Sequence, residues 1–175
     1  VPTYTFVRIW DYNGATYTGL SFPDTTEIVL AENGDVAVSE GEWGNDSLYA
    51  VERRVKRLIA NSGTGVGQIV EFRPREFNDD GTVLSYIQFD FEDPRFSGIL
   101  LANKEIIASW PSTAPGFLVD DPVMNASGTV LYVENDGANQ NLKRWQNGVS
   151  TTIATCDTLL HPQINDSGAI AFECS

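Results

Sequence analysis

Basic residues are scarce in this sequence: 11 lysines and arginines stand against 24 aspartates and glutamates, and the formal net charge is −13. An excess of negative charge repels nucleic-acid phosphates and anionic lipid headgroups, so neither is an expected partner. The sequence also lacks a run of about 18 apolar residues, the length from which a membrane-spanning helix is inferred. We therefore expect a chain that is soluble in water and does not insert into a membrane.

The residue patterns of common enzymes are also missing. His161 is the only histidine, and because it precedes Pro162 at the start of a predicted strand, we expect a structural role for it. The run GTGVG at 63–67 lacks the Gly-x-Gly-x-x-Gly spacing and precedes a strand-like segment, which disfavours dinucleotide binding. The sequence thus favours a protein without catalytic activity, and a glycoside-active enzyme that uses paired carboxylates is the least favoured alternative.

What the sequence does contain is a repeat. Four segments align on a glycine without gaps: LAENGDVAV (30–38), FNDDGTVLS (77–85), MNASGTVLY (124–132) and INDSGAIAF (164–172). Three of them have asparagine three positions before the glycine, where the first has Ala31. An asparagine side chain bonds to the backbone of its own turn, and glycine adopts a positive φ without strain. Each segment is predicted to form a tight turn between two short strands, with the turn residues Gly34, Asn78, Gly81, Asn125, Gly128, Asn165 and Gly168.

A second pattern fills the intervals between these turns. TFVRIW-DYNG-ATYTGL, SLYAV-ERR-VKRLIA, GILLA-NKE-IIASW and NLKRW-QNG-VSTTIA each suggest two apolar strands joined by a short polar turn. One turn segment and the strand pair that follows make a unit of four antiparallel strands, about 40 to 50 residues long, as in propeller blades. The predicted fold class is therefore all-β, a four-bladed β-propeller of four-stranded meanders. An open solenoid or a two-sheet sandwich is the structural alternative.

The two ends of the chain divide one unit between them. Blades 1, 2 and 3 are predicted at 24–60, 69–110 and 118–155, within a single domain of 1–175. Residues 1–22 hold only the outer two strands of a unit, and residues 161–175 hold only the inner two. We expect these strands to pair and complete the fourth blade, either within one chain or between two chains.

The repeats give the sequence a family resemblance. The INDSGAIAF, MNASGTVLY and FNDDGTVLS runs, with LKRW-QNG-VSTTIA, resemble the tandem Asn-x-x-Gly-x-Val-x-Phe repeats of secreted and surface-anchored bacterial β-propeller-like proteins. Only Phe172 matches the final Phe of that pattern. The resemblance implies an extracellular or cell-surface location and no established catalytic residues. Because the first residues lack the features of a signal peptide, we expect that one has been removed.

Acidic residues concentrate on one predicted face. Antiparallel topology places the short turns on one face of the propeller and the long loops on the other, where binding residues usually lie. Clustered carboxylates with loop carbonyls suit Ca²⁺, which takes about six to eight oxygen ligands. The loop face is therefore a tentative calcium site, with a merely solvated acidic surface as the alternative; the candidate ligands are Asp90, Glu92, Asp93, Asp120 and Asp121.

Two groups of residues are candidates for binding a partner. Trp43, Phe91 and Trp110 lie near these acids in the sequence, and aromatic rings of this kind stack on sugars or anchor a partner protein. The alternative is that they fill the wedges between blades. The segment ERRVKR at 52–57 gathers basic residues at one hairpin, which is either a solvated tip or a docking patch for acidic loops of another copy; its members are Arg53, Arg54, Lys56 and Arg57.

Cys156 and Cys174 are the only cysteines. Cys156 follows the last strand of the third blade and Cys174 ends the second strand of the fourth, and both strand ends point to the loop face. We therefore predict a disulfide between them, as is common in exported proteins. Two free buried thiols are the alternative.

Two functions remain open at this point. The favoured one is a non-catalytic extracellular structural protein that associates with itself in a filament or matrix. The alternative is a monomeric module that binds a glycan or a protein through the acidic and aromatic loop face, with Ca²⁺ as a possible cofactor. Negative-stain microscopy separates the two, because the first predicts regular fibres and the second predicts discrete particles.

Overall fold

The computed structural model of the protein describes residues 25–42, 45–52, 55–61, 69–89, 97–101, 105–110 and 122–175. These residues contain fourteen β-strands, and the described part of the chain has no α-helix. The all-β class predicted from the repeats is confirmed. The N-terminal strands predicted within 1–22 lie outside the described residues.

The strands form four antiparallel sheets in chain order. The first sheet contains β1 (Thr25–Leu30), β2 (Val36–Glu42), β3 (Asn45–Glu52) and β4 (Val55–Asn61). The second contains β5 (Ile69–Phe77), β6 (Val83–Phe89), β7 (Ser97–Leu101) and β8 (Glu105–Trp110). The third contains β9 (Val123–Met124), β10 (Val130–Asn135), β11 (Gln140–Gln146) and β12 (Val149–Cys156). The fourth contains β13 (Leu159–Ile164) and β14 (Ile170–Cys174) among the described residues. Each of the first three sheets is a meander in which every strand pairs with its sequence neighbours.

The four repeat turns join the first two strands of each sheet, as predicted. In each, the glycine donates its N–H to the carbonyl three residues earlier, and that earlier residue donates its own N–H across the turn. The four glycines have φ between 76° and 87°, a left-handed conformation that costs a glycine little. In the third turn, Asn125 Oδ1 accepts the N–H of Thr129 at 3.0 Å, and Asn78 and Asn165 make the same bond in the second and fourth. The predicted turn chemistry is confirmed.

A β-bulge recurs at one position of the outer strand in each complete sheet. The register skips Ile59 in β4, Ile107 in β8 and Ile153 in β12, and in each case the next residue is alanine. A bulge leaves one residue without a partner and turns its side chain. In the first sheet both Ile59 and Ala60 therefore face the second sheet and belong to the apolar core between the two sheets.

Three apolar cores lie between successive sheets. The core between the first and second sheets includes Leu48, Ile59, Phe72 and Phe77. The core between the second and third sheets includes Leu84, Met124, Val130, Tyr132 and Trp145. The core between the third and fourth includes Leu131, Val133, Leu142 and Leu159.

Strand β10 shows how one sheet serves two cores. Val130 and Tyr132 point to the second sheet, whereas Leu131 and Val133 point to the fourth. Successive side chains of a strand alternate between its faces, so the stretch of β10 that is buried on both faces, residues 130–133, has no charged side chain. Four-stranded meanders that pack face to face in chain order are the arrangement of β-propeller blades. The count of four closed blades depends on residues outside the described ranges and stays a prediction.

The predicted disulfide is present. Cys156, the last residue of β12, is bonded to Cys174, the last residue of β14, with 5.7 Å between their Cα atoms. Only two residues separate β12 from β13, and Thr158 and Ser175 exchange two backbone hydrogen bonds beside the disulfide. The fourth sheet is thus fastened to the third at the ends of its strands.

Reduction of this disulfide is expected to lower the free energy of unfolding by about 3 kcal/mol, because the bond closes a loop in the unfolded chain. Urea unfolding of the native protein and of the Cys156→Ser, Cys174→Ser variant measures the difference. Hydrogen exchange shows which part of the chain loses stability: amides of 159–174 should lose protection first, and those of β2 and β6 last. Uniform loss across all sheets would contradict this account.

Candidate functional site

The repeat turns are joined to one another by hydrogen bonds that cross from sheet to sheet. The backbone N–H of Asn33 in the first turn donates to Asp79 Oδ1 of the second at 2.9 Å. Asn78 Nδ2 donates to the carbonyl of Ala126 in the third turn at 3.3 Å. Hydrogen bonds between turns, as well as apolar packing, therefore hold the second sheet against the first and the third sheet against the second.

The link from the third turn to the fourth is double. Asn125 Nδ2 donates to the Asn165 carbonyl at 3.1 Å, and the N–H of Ala126 donates to Asp166 Oδ1 at 2.9 Å. The sequence interpretation missed the role of Asp79 and Asp166 as acceptors. The signal was the aspartate directly after asparagine in NDDG and NDSG, which distinguishes these turns from NASG.

A cavity of about 150 Å³ lies between the four turns. Its apolar wall includes Phe77, Met124 and Ile164, the residues that stand four positions before the turn glycines. Glu32, Glu76, Asp79 and Asp166 supply the carboxylates of the lining. Because every turn contributes to this lining, the four turns lie on one face of the molecule, as the topology predicted.

Glu76, one of the carboxylates of this cavity, is partly buried. Burial raises the pKa of Glu76 above its ordinary value, because a charged carboxylate is less favourable away from water. None of the ion pairs found among the described residues includes Glu76. The ionised form of Glu76 therefore opposes folding.

A second cavity, of about 160 Å³, adjoins the third and fourth turns. Its lining is mainly polar and includes Ser127, Thr129, Arg144 and Ser167, with Ile164 as an apolar member. The two cavities share Asn125, Ile164 and Asp166. They therefore form neighbouring depressions of one turn face, which offers hydroxyl, amide and carboxylate groups to a solute.

The basic hairpin lies on this same face. A methyl group added at Gly81 in the second turn would lie 3.0 Å from Glu52 Oε1 and 3.7 Å from an Arg57 nitrogen, so the β3–β4 hairpin contacts that turn. Arg57 forms an ion pair with Glu52. Lys56 forms one with Glu40, and its ammonium stands 3.8 Å from the centre of the Tyr49 ring. These two predicted docking residues thus already have partners within their own sheet.

Asp46, an acidic residue near the start of β3, has a structural role. Its side chain is buried, and Oδ2 accepts the N–H of Phe72 in the second sheet at 2.8 Å, while Oδ1 accepts the N–H of Ser47 at 2.9 Å. A buried carboxylate that accepts backbone N–H groups is held in place by them. Asp46 ties the first sheet to the second.

Asp136 organises the loop between β10 and β11. It accepts the N–H groups of Ala138 and Asn139 at 3.0 and 2.8 Å and the Asn141 amide at 3.1 Å. These bonds to the charged form lower the pKa of Asp136 below its ordinary value. Its oxygens therefore order this loop from within.

Most of the predicted calcium-binding and partner-binding residues lie outside the described ranges. These are the five calcium candidates Asp90, Glu92, Asp93, Asp120 and Asp121, the aromatic residues Trp43 and Phe91, and the basic residues Arg53 and Arg54. Trp110 is the last residue of β8. In the part of the chain that the structure describes, no three histidine, cysteine or acidic residues are grouped to hold a metal ion. The calcium site stays a prediction.

His161 lies where the pairing of β13 with β14 shifts register. Its φ is 52°, and its Nδ1 lies 3.2 Å from Glu173 Oε1 on an exposed surface.

Among the described residues there is no helix that would reach across a lipid bilayer.

Comparison with known proteins gives structural neighbours alone. No protein-family model matches the chain, and no curated protein matches it. The chain is similar to a structure of the Dos1 propeller, with 12% identity, a TM-score of 0.48, and coverage of 95% of this chain and 47% of that one. It is also similar to virginiamycin B lyase from Staphylococcus aureus, with 11% identity, a TM-score of 0.41, and coverage of 87% and 56%. The chain spans about half the length of these structures.

Replacement of Asn125 is expected to test the links between turns. Asn125→Ala removes the acceptor within the turn and the donor to Asn165, and we expect a loss of roughly 1 to 3 kcal/mol in the free energy of unfolding. Asn165→Ala is the matched control, because Asn165 makes the bond within its turn but donates to no further turn among the described residues. Equal losses in urea unfolding would show that the link between turns contributes nothing.

Glu76 and Asp136 are expected to give pH dependences of opposite sign. The raised pKa of Glu76 means that its contribution to stability is present at low pH and is lost as pH rises through that pKa. Glu76→Gln should therefore raise the unfolding free energy at pH 7 relative to pH 4. The lowered pKa of Asp136 means the reverse, so Asp136→Asn should lower stability at pH 7 more than at low pH. Thermal unfolding between pH 3 and pH 8 measures both, and changes of the same sign would contradict these assignments.

Proposed function

We propose that this protein is a non-catalytic extracellular structural subunit that associates with copies of itself. The observation that supports this is the exposed apolar surface of the first sheet. Three of the large apolar side chains that are exposed lie on the face of this sheet that is turned away from the second sheet: Ile28, Leu30 and Leu58. Grouped exposed apolar side chains are typical of protein–protein contacts.

The charges beside this surface favour an apolar contact over a purely electrostatic one. Lys56 and Arg57 neutralise Glu40 and Glu52 of their own sheet, so their charges are partly satisfied before any partner arrives. Exposed charge pairs are screened by salt, whereas burial of apolar surface is not. We propose that apolar side chains provide the affinity and that the basic turn at 53–57 contributes mainly to orientation.

The disulfide supports an extracellular location for this subunit. Disulfides persist in oxidising compartments and are rare in the reducing cytosol. The bond fastens the fourth sheet to the third. A calcium ion on the acidic loops remains compatible with this role.

Self-association is tested by sedimentation velocity over a range of protein and salt concentrations. We expect the particle mass to rise with protein concentration and to persist at high salt. The Arg53→Glu, Arg54→Glu variant should assemble more slowly but to the same particle, whereas Leu58→Lys should weaken assembly. If the unmodified protein stays monomeric at high concentration and low salt, the structural role fails, and the monomeric glycan-binding or protein-binding module takes its place.

A further inference from the structure

We propose that the second cavity, which adjoins the third and fourth turns, binds a neutral sugar through two neighbouring hydroxyl groups of its ring. This cavity has a volume of about 160 Å³ and is lined by residues of the third and fourth sheets and their turns. The proposed self-association rests on the first sheet instead, so either proposal can fail without the other.

The equivalent space between the first and second sheets is filled. Alignment on the turn glycines makes Gly81 of the second turn equivalent to Gly168 of the fourth, and strand pairing makes Glu52 equivalent to Gln146. A methyl group added at Gly81 would lie 3.0 Å from Glu52 Oε1. Glu52 is held in this position by its ion pair with Arg57. The ion pair therefore occupies the groove beside the second turn.

Two sequence differences leave the space beside the fourth turn open. Thr151 is the residue equivalent to Arg57, and its short side chain donates to the carbonyl of Arg144 at 3.3 Å. Gln146 has no charge, so no ion pair holds it over the turn. A methyl group added at Gly168 would have no described atom within 4 Å beyond its chain neighbours. The groove is therefore open where its counterpart is closed.

A third difference gives the open groove a positive charge. Ala50, which is fully buried in the core between the first and second sheets, is equivalent to Arg144 of β11. Arg144 is exposed and lines the cavity. The neighbouring Lys143 pairs with Glu134, but no carboxylate among the described residues pairs with Arg144. The guanidinium donors of Arg144 are therefore available to a solute.

Asp166 supplies a negative charge to the same cavity. One of its oxygens accepts the N–H of Ala126 at 2.9 Å, and no partner for the other oxygen is found in the part of the chain that the structure describes. Asp166 and Arg144 do not form an ion pair with each other. The space between them can therefore hold a solute that contacts both.

The two charges select the chemistry of that solute. A carboxylate only accepts hydrogen bonds and a guanidinium only donates them, whereas a hydroxyl group does both. A simple anion is repelled by Asp166, and a simple cation is repelled by Arg144. Two adjacent hydroxyl groups of a sugar satisfy both side chains, because one donates to Asp166 and the other accepts from Arg144.

The neutral groups of the lining suit the rest of a sugar ring. The amide of Gln146 can donate and accept. The hydroxyls of Ser127 and Ser167 each donate within their own turn and retain lone pairs that can accept. Ile164 offers an apolar surface to the C–H groups of the ring. A zwitterionic amino acid would match the two charges but leave these neutral groups unused, so a sugar is the occupant that we infer.

Nuclear magnetic resonance with small solutes tests this site. The sugar probes are D-glucose, D-galactose, D-mannose, D-xylose and N-acetylglucosamine, each at about 100 mM, which detects dissociation constants in the millimolar range. Glycine, a zwitterion, and inorganic phosphate, an anion, are the comparison probes. We expect at least one sugar to shift the backbone amide signals of 127–129 and 166–168, and to bind more tightly than glycine or phosphate.

Variants of the cavity show whether the sugar binds there. Arg144→Met removes the guanidinium and keeps an alkyl chain, and we expect the Kd for the sugar to rise about tenfold or more. Lys143→Met is the matched control, because Lys143 is the adjacent residue on the other face of β11, and it should bind the sugar normally. The Gln146→Glu, Thr151→Arg variant restores the ion pair of the first groove and should abolish the shifts. Circular dichroism confirms that each variant is folded.

Three results would overturn the inference. If no sugar of the panel shifts these amides, the cavity is not a sugar site. Tighter binding of glycine or phosphate than of every sugar would show a site for ions. Sugar binding that is unchanged in folded Arg144→Met, or in the folded Gln146→Glu, Thr151→Arg variant, would show that the sugar binds elsewhere. None of these results bears on self-association, which sedimentation velocity measures separately.

Discussion

The left-handed conformation of the turn glycine is the constraint on which the rest of this structure depends. With φ near 80° at Gly34, Gly81, Gly128 and Gly168, each turn fixes the register of the two strands that leave it, and a one-residue slip would exchange the two faces of both strands. Register then decides that Val130 faces one core and Leu131 the other. The cores and the cavity between the turns follow from that choice.

The turns, the strand order and the disulfide could be predicted from the sequence because each depends on nearby residues or on topology alone. The bulges could not, since nothing in one strand indicates which residue its partner will skip; the recurrence of Ile-Ala at 59–60, 107–108 and 153–154 becomes informative only beside the pairing. The contacts of Asp79 and Asp166 were missed for a related reason. Their partners lie one repeat away, at a distance that only packing sets.

The acids illustrate why composition does not define a site. Asp46, Asp136 and Glu40 are acidic residues in loops or near strand ends, where sequence alone does not distinguish a ligand from a structural carboxylate. In the structure the first joins two sheets, the second orders its own loop, and the third pairs with Lys56. A carboxylate whose oxygens accept backbone N–H groups has fewer free lone pairs with which to bind a metal ion or another ligand. The candidate ligands between residues 90 and 121 therefore have to be judged by their own partners.

The disulfide beside the short connection between β12 and β13 has a mechanical consequence. Tension applied at the C-terminus would ordinarily peel β14 from β13 one hydrogen bond at a time. Because Cys174 is bonded to Cys156 and Ser175 is paired with Thr158, a pull at the last residue is carried covalently into β12, which lies in a four-stranded sheet. The disulfide therefore carries part of a load that the hydrogen bonds between β13 and β14 would otherwise carry alone.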